Sequence, residues 1–240
     1  MRVSILGLGR FGMFLARHLL EAGFQVFGWD ISPTKRQELE GFSGVWQQAP
    51  DRPDVVVLAL FPDQVTGVLL QGLPTQALLV NLSSVQAPGI AVLRKHIEIG
   101  TERIFSFHPL FGPVGVVKSG WVGKQIVVTL EPPNDQRVTA LLETFVNKGV
   151  VIDRMSSMEH DHKMRTHALA FFLAEFVQAG AQGADPRYLT GSARHMLGLL
   201  EFTADSPELR RLILSNPALK QLFPKLKKVW DELAQEFGWE

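Results

Sequence analysis

The hexapeptide Gly7-Leu8-Gly9-Arg10-Phe11-Gly12 constrains the fold of this chain more than any other feature. It fits the pattern G-x-G-x-x-G. It follows the β-rich run Val3–Leu6 and opens a segment of helical periodicity, Phe11–Ala22, that stops at Gly23. A second strand-like run, Phe24–Asp30, then ends on an acidic residue. Alone the glycine pattern is weak. Between a strand and a helix, with an acid closing the next strand, it describes a dinucleotide-binding βαβ unit. Gly7 permits the tight turn, Gly9 lets the backbone approach a pyrophosphate, and Gly12 allows close packing of helix on strand. The helix N-terminus, with Leu8, Arg10 and Phe11 in the same cradle, stabilises the phosphates through its N–H groups and dipole. Asp30 would accept hydrogen bonds from the adenosine ribose and repel a 2′-phosphate, so the expected cofactor is NAD, with NADP the lesser candidate. Lys35 and Arg36 lie downstream and are read as an exposed helix face, although they have the charge to hold such a phosphate.

The rest of the first half repeats the alternation. Ser32–Glu40 reads as a helix opened by Ser32-Pro33, a good cap and first-turn pair. Asp54–Leu60 is nearly all apolar, as a strand buried on both faces must be. A helix is expected after the break at Phe61-Pro62-Asp63. Ala77–Leu82, Ile104–His108, Gln125–Thr129 and Val150–Ile152 are further strands, and Asn134–Lys148 is helical. Strands alternating with helices imply a parallel sheet with right-handed crossovers. Beyond about Arg154 no strand-like run remains. Ser157–Gln178 reads as one long amphipathic helix, followed by shorter helices broken at Gly180, Gly183-Ala184-Asp185-Pro186, Gly191, Ser206-Pro207 and Asn216-Pro217. The expected fold is α/β: a Rossmann-type doubly wound parallel sheet over residues 1–154, then a smaller all-helical domain over 155–240.

Composition narrows the function. Lys+Arg and Asp+Glu are each 24, a formal net charge of +0, which gives no support to a nucleic-acid partner. Cysteine is absent, which excludes disulfides and thiolate metal sites and fits a cytoplasmic protein. No signal peptide or membrane span is expected.

Three segments carry candidate chemistry. Asn81-Leu82-Ser83-Ser84-Val85-Gln86 ends a buried strand, and ligands of open α/β sheets bind beyond the carboxyl ends of strands. These serines could equally cap the helix that follows. His108-Pro109-Leu110-Phe111-Gly112-Pro113 also ends a strand, which places a histidine where a general base is useful. Met158–His167 contains Glu159, His160, Asp161, His162 and Lys163 at a helix start. Successive helix positions point about 100° apart, so His160 and Asp161 do not chelate one ion easily, and no metal site is expected. An exposed polar first turn is the simpler account, since acids favour a helix N-terminus.

Together these segments resemble the prephenate/arogenate dehydrogenase family. That family carries a dinucleotide loop, a Ser-Val-Lys segment, a His-Pro-x-x-Gly segment and a Glu-His-Asp segment opening an all-helical second domain. Here they stand in the same order as Gly7–Gly12, Ser84-Val85-Gln86, His108–Gly112 and Glu159-His160-Asp161. Gly123–Val128 resembles the strand after the histidine loop, and Asp205-Ser206-Pro207-Glu208-Leu209 is similar to a later turn. The resemblance implies hydride transfer to NAD coupled to loss of CO2, in the tyrosine branch of aromatic amino acid biosynthesis. His108 would take a ring-hydroxyl proton, and Ser84 would orient that histidine or the hydroxyl. Ser83, Gln86, Gly112, His167, Arg194 and Glu201 would line the substrate. The C-terminal helices would form a homodimer, with Leu169, Phe172, Phe176, Leu197, Leu200 and Phe202 supplying apolar surface.

The sequence also departs from the family. Gln86 replaces the lysine of Ser-Val-Lys. The second histidine of the long helix falls on Phe171 or Phe172, with His167 a turn away. The arginine that grips the ring carboxylate is Glu201, with Arg194 and His195 two turns upstream. Such a carboxylate would repel the expected group unless paired or protonated. Other possibilities are therefore an arogenate-specific enzyme, a β-hydroxyacid-type dehydrogenase using Lys163, and a non-catalytic NAD-binding homologue.

Overall fold

The computed structural model describes residues 1–40, 45–46, 52–66, 69, 72–96, 101–201, 204 and 206–239. Two compact units divide the chain, Met1–Ser157 and Met158–Glu240. The first begins β1 (Arg2–Leu6), α1 (Arg10–Glu21), β2 (Gln25–Trp29), α2 (Pro33–Glu40), β3 (Val45–Trp46) and β4 (Val55–Leu58). It continues β5 (Leu78–Asn81), α3 (Gln86–His96), β6 (Ile104–Pro109), α4 (Pro113–Ser119), β7 (Gln125–Leu130), α5 (Gln136–Val146) and β8 (Val151–Arg154). The helix expected after Phe61-Pro62-Asp63 starts with a 3-10 turn at Pro62–Gln64, and residues 67–68 and 70–71 lie outside the described residues.

Among the described residues the sheet order is β3-β2-β1-β4-β5-β6-β7-β8. Every neighbouring pair from β3 to β6 is parallel. The strand order reverses between β1 and β4, and open α/β sheets bind ligands in the crevice at such a switch point. Burial explains why the strands read as continuous apolar runs. Val55, Val57, Leu78 and Val80 enter one core with Leu15, Leu19, Leu141 and Phe145. Val56, Leu58 and Leu79 enter a second core with Leu93 and Val65. Alternate residues of one strand thus serve opposite faces, as the period of two requires.

The expected parallel sheet has one antiparallel pair. β7 runs antiparallel to β6, and β8 is parallel to β7. After β6 the chain turns back at the same edge, with Leu110 N–H donating to Gln125 O, and α4 fills the turn instead of crossing the sheet. A connection that does not cross the sheet returns its strand antiparallel.

The second unit is helical: α6 (Ser157–Lys163), α7 (Arg165–Gly180), α8 (Gly191–Glu201), α9 (Pro207–Leu214) and α10 (Phe223–Phe237). The single helix expected over Ser157–Gln178 is therefore two. Met164, with φ −75° and ψ −4°, flattens the backbone between α6 and α7 without a proline or glycine to announce it. Ala168, Phe171, Ala174, Leu200, Ile213 and Leu219 form this unit's core, against which Leu169 and Phe172 pack.

Candidate active site

The glycine loop is shaped by two steric demands and one vacancy. Gly7 has φ +95°, and a Cβ there would lie 2.4 Å from Ala59 O. A Cβ on Gly12 would lie 2.0 Å from Gly7 O, so α1 can sit on this turn only through glycine. Gly9 differs. Its φ of −63° and ψ of −176° suit any residue, and a Cβ would meet nothing within 4 Å. Among the described residues no contact calls for glycine at this position. A pyrophosphate approaching the backbone does, which is the fit expected for NAD. Gly9 also caps α1 without a side chain, and no acid stands in the helix's first turn to compete with an anion.

Asp30 sits where the cofactor's ribose is expected. Its carboxylate accepts Leu8 N–H at 2.7 Å and Ser32 N–H at 2.8 Å, which locks it to the glycine loop. Carboxylate oxygens accept more than one bond each, so this anchoring is compatible with holding hydroxyls. The Leu8 side chain belongs to the apolar core, leaving only its backbone to face a cofactor, and the half-buried Phe11 packs against that core. Arg10 is exposed. Lys35 pairs with Glu38 at 3.0 Å.

Ser84 and His108 lie at the same carboxyl edge, beyond β5 and at the end of β6. The turn after His108 is held by Phe111, buried edge-on against Trp121 with ring centroids 5.8 Å apart. Gly112 caps α4. The expected Ser84–His108 bond is not formed: Ser84 Oγ is buried without a hydrogen-bond partner among the described residues. Ser83 is bound into its own turn, its N–H donating to Asn81 Oδ1 and its Oγ accepting from Val85 N–H. Gln86, expected to line the substrate, is 0% exposed. Its amide bonds Ser83 O, Ser106 Oγ and Thr129 Oγ1 instead. Sequence reasoning missed this cluster, although Asn81, Ser106 and Thr129 are the polar members of otherwise apolar strands.

In the second unit, Glu201 is exposed at the last residue of α8, and residues 202–203 and 205 lie outside the described residues, Phe202 and Asp205 among them. Arg194 is exposed and donates to Leu189 O at 3.0 Å, and His195 Nδ1 lies 2.8 Å from Gly191 O. The His167 ring packs edge-on against Phe171, with centroids 5.0 Å apart. Lys163 is exposed and paired with Glu159 at 3.0 Å. The exposed polar turn expected at Glu159–Asp161 is corrected. His160 and Asp161 are buried, bonded to each other at 2.8 Å, and Asp161 O accepts from Asn216 Nδ2. The buried Asn216 side chain thus ties the turn before Pro217 to this pair. Among the described residues no three His, Asp or Glu side chains gather as metal ligands.

Residues 2–97 match the family described as the NAD binding domain of 6-phosphogluconate dehydrogenase. Arogenate dehydrogenase 1 of Arabidopsis thaliana is 27% identical over 67% of this chain, and arogenate dehydrogenase 2 is 26% identical over 99% of it. In sequence the chain is similar to these arogenate dehydrogenases. It spans 27% of the length of the first plant protein and 70% of the second. The crystal structure of prephenate dehydrogenase from A. aeolicus in complex with hydroxyphenyl propionate and NAD+ has the same fold, with TM-score 0.76 and 19% identity. That match covers 98% of this chain and 90% of that one. Synechocystis arogenate dehydrogenase matches at TM-score 0.62 and 18% identity, covering 100% and 94%. No helix among the described residues is long and apolar enough to cross a membrane.

Proposed function

We propose that this protein is an NAD-dependent oxidoreductase that oxidatively decarboxylates prephenate, or a related cyclohexadienyl compound, in tyrosine biosynthesis. One observation carries this reading: the Gly7–Gly12 loop, Ser84 and His108 share the carboxyl edge of one sheet, at the ends of β1, β5 and β6. Neighbouring strands lie about 4.8 Å apart, so a bound dinucleotide anchored at β1 runs along the edge toward the histidine. When bound, NAD supplies the hydride acceptor. His108 takes the ring-hydroxyl proton as hydride leaves the same carbon, and loss of CO2 restores aromaticity. Ser84 Oγ, buried and unpartnered among the described residues, keeps a proton to give to the substrate hydroxyl or to His108.

Arogenate is the second candidate substrate; it carries an ammonium group where prephenate carries a ketone. The plant relatives are arogenate dehydrogenases by name. Ser83, Gly112, His167 and Arg194 remain candidate substrate contacts. The lack of cysteine suits a cytoplasmic enzyme.

Turnover of prephenate and arogenate, followed by NADH formation, tests the proposal. His108→Asn should lose about 10²–10⁴-fold in rate with NAD affinity unchanged, the usual cost of removing a general base. Ser84→Ala should lose less. Full activity in His108→Asn would overturn the assignment, and no turnover of either substrate would favour a non-catalytic NAD-binding homologue.

A further inference from the structure

A closed ring of hydrogen bonds lies beneath the proposed base. Asn81 Nδ2 donates to Ser106 Oγ at 2.8 Å, and Ser106 Oγ donates to Gln86 Oε1 at 2.6 Å. Gln86 Nε2 donates to Ser83 O, and Ser83 N–H returns to Asn81 Oδ1 at 3.3 Å. Thr129 Oγ1 joins from β7, donating to Gln86 Oε1 at 2.5 Å and lying 3.3 Å from Ser106 O. The ring is tightly fitted: a Cβ on Gly89 would come within 2.9 Å of Asn81 Oδ1. It joins the end of β5, the Ser83–Val85 turn, the start of α3, β6 and β7.

The ring lies where the β6–β7 register shifts. Ser106 faces Leu130 and Phe107 faces Val128, so Thr129 is an extra residue, a bulge in β7. Bulges re-aim the side chains beside them. Side chains alternate along a strand, so Ile104, Ser106 and His108 share one face of β6 while Phe105 and Phe107 enter the opposite core. The residue held by the ring is therefore the one immediately before His108 on its own face. An apolar cluster would fill this space at less risk, because every unsatisfied group in a buried polar network is costly. Such a network fixes one geometry where greasy packing allows several.

We infer that Gln86 is a positioning residue: through Ser83, Ser106 and Thr129 it sets Ser84 and His108 relative to each other. This rests on the reading of His108 as the base. Gln86 is 0% exposed, so it acts through these neighbours rather than by contact with substrate or cofactor. The lysine of the related family's Ser-Val-Lys could not accept from both hydroxyls, so this chain uses a different device at that position.

Gln86→Glu and Gln86→Leu test it. In Gln86→Glu the new side chain, as a carboxylate, accepts from Ser106 and Thr129 but has no proton for Ser83 O. As a carboxylic acid it restores every bond of the ring. Gln86→Glu should therefore lose about tenfold or more in kcat near neutral pH, of the order that small misplacements cost. Its rate relative to wild type should climb as pH falls. Gln86→Leu should be slow at every pH, and both should bind NAD as wild type does. A merely stabilising role would lower the melting temperature without this pH-dependent rescue. Rates within about twofold of wild type, or a constant ratio across pH, would overturn the inference. NMR titration of His108 keeps the test separate from the catalytic reading. Both variants should shift the His108 resonances and midpoint while those of His195 stay fixed, even if no substrate is turned over. An unchanged His108 titration would sink the positioning role whatever the reaction.

Discussion

At the residue scale, two polar side chains are fixed to different ends. Asp30 is held ready for a ribose by two backbone N–H bonds at the mouth of the glycine loop. Calorimetry should therefore find NAD bound well ahead of NADP. Asp30→Ala should weaken NAD by about tenfold, or ~1.4 kcal/mol, the scale of a lost hydrogen bond to a charged group. Equal affinity of wild type for both cofactors would end this argument. His18, 2% exposed on α1, is kept neutral. Burial, and then the Lys148 charge, lower its pKa from 6.5 to about 4. Thr144 Oγ1 gives its proton to Leu141 O, so His18 Nε2–H donates to Thr144 and Nδ1 stays a bare acceptor without a partner among the described residues. The unfolded chain takes up this proton at higher pH than the folded one. Stability from neutral His18 is full above pH 6.5 and is lost as pH falls toward 4. The displacement corresponds to about 3 kcal/mol. Denaturant titrations at about pH 7.5 and about pH 4.5 should show that loss in wild type and most of it abolished in His18→Leu. An identical pH dependence in the two proteins would remove His18 from the account.

At the element scale, the strand–loop–helix unit separates what the fold needs from what the cofactor needs. Gly12→Ala drives a methyl into Gly7 O, so it should cost several kcal/mol of stability, as severe steric substitutions do. Gly9→Ala meets only open space, so its melting temperature should match wild type while NAD affinity drops, as calorimetry would show. Loss of stability in Gly9→Ala would mean that this glycine serves the fold after all. This unit was legible in the sequence because its signature is local: six residues, one strand before and one acid after. The direction of β7 was not, since its central run Ile126–Val128 is apolar whichever way it runs. Neither was the break at Met164, where a helix former takes helical angles and only ψ departs. Gln86 misled for a third reason. Its partners Ser106 and Thr129 stand 20 and 43 residues away, so nothing adjacent marks it as buried. Ser84 and His108 were visible as candidates because strand ends can be read from apolar runs.

At the scale of the whole molecule, the question is what covers the second unit's apolar surface. Six residues were expected to supply a dimer face, and the structure redistributes them. Leu200 is spent in the unit's own core, Leu169 and Phe172 pack against it, Leu197 is half-buried, and Phe202 lies outside the described residues. Phe176 stays exposed. The larger exposed surface is on α10, which buries none of its residues yet carries Val229, Trp230, Leu233 and Phe237, with Trp239 stacked on Phe237 at 5.3 Å. Monomers rarely leave aromatic surface of this kind in water. A stable pair of proteins buries about 1,200–2,000 Å² in total, and an amphipathic helix meeting its own copy about a two-fold axis supplies complementary surface to both partners. We therefore expect a homodimer built on α10 and Phe176. Light scattering at micromolar concentration should give twice the chain mass of 26.7 kDa. Trp230→Glu, at a position 61% exposed and so free of packing strain, should yield a folded monomer with an unchanged circular dichroism spectrum. A wild-type monomer would refute the dimer outright. A dimer that survives Trp230→Glu would move the interface off α10 and onto another face of the helical unit.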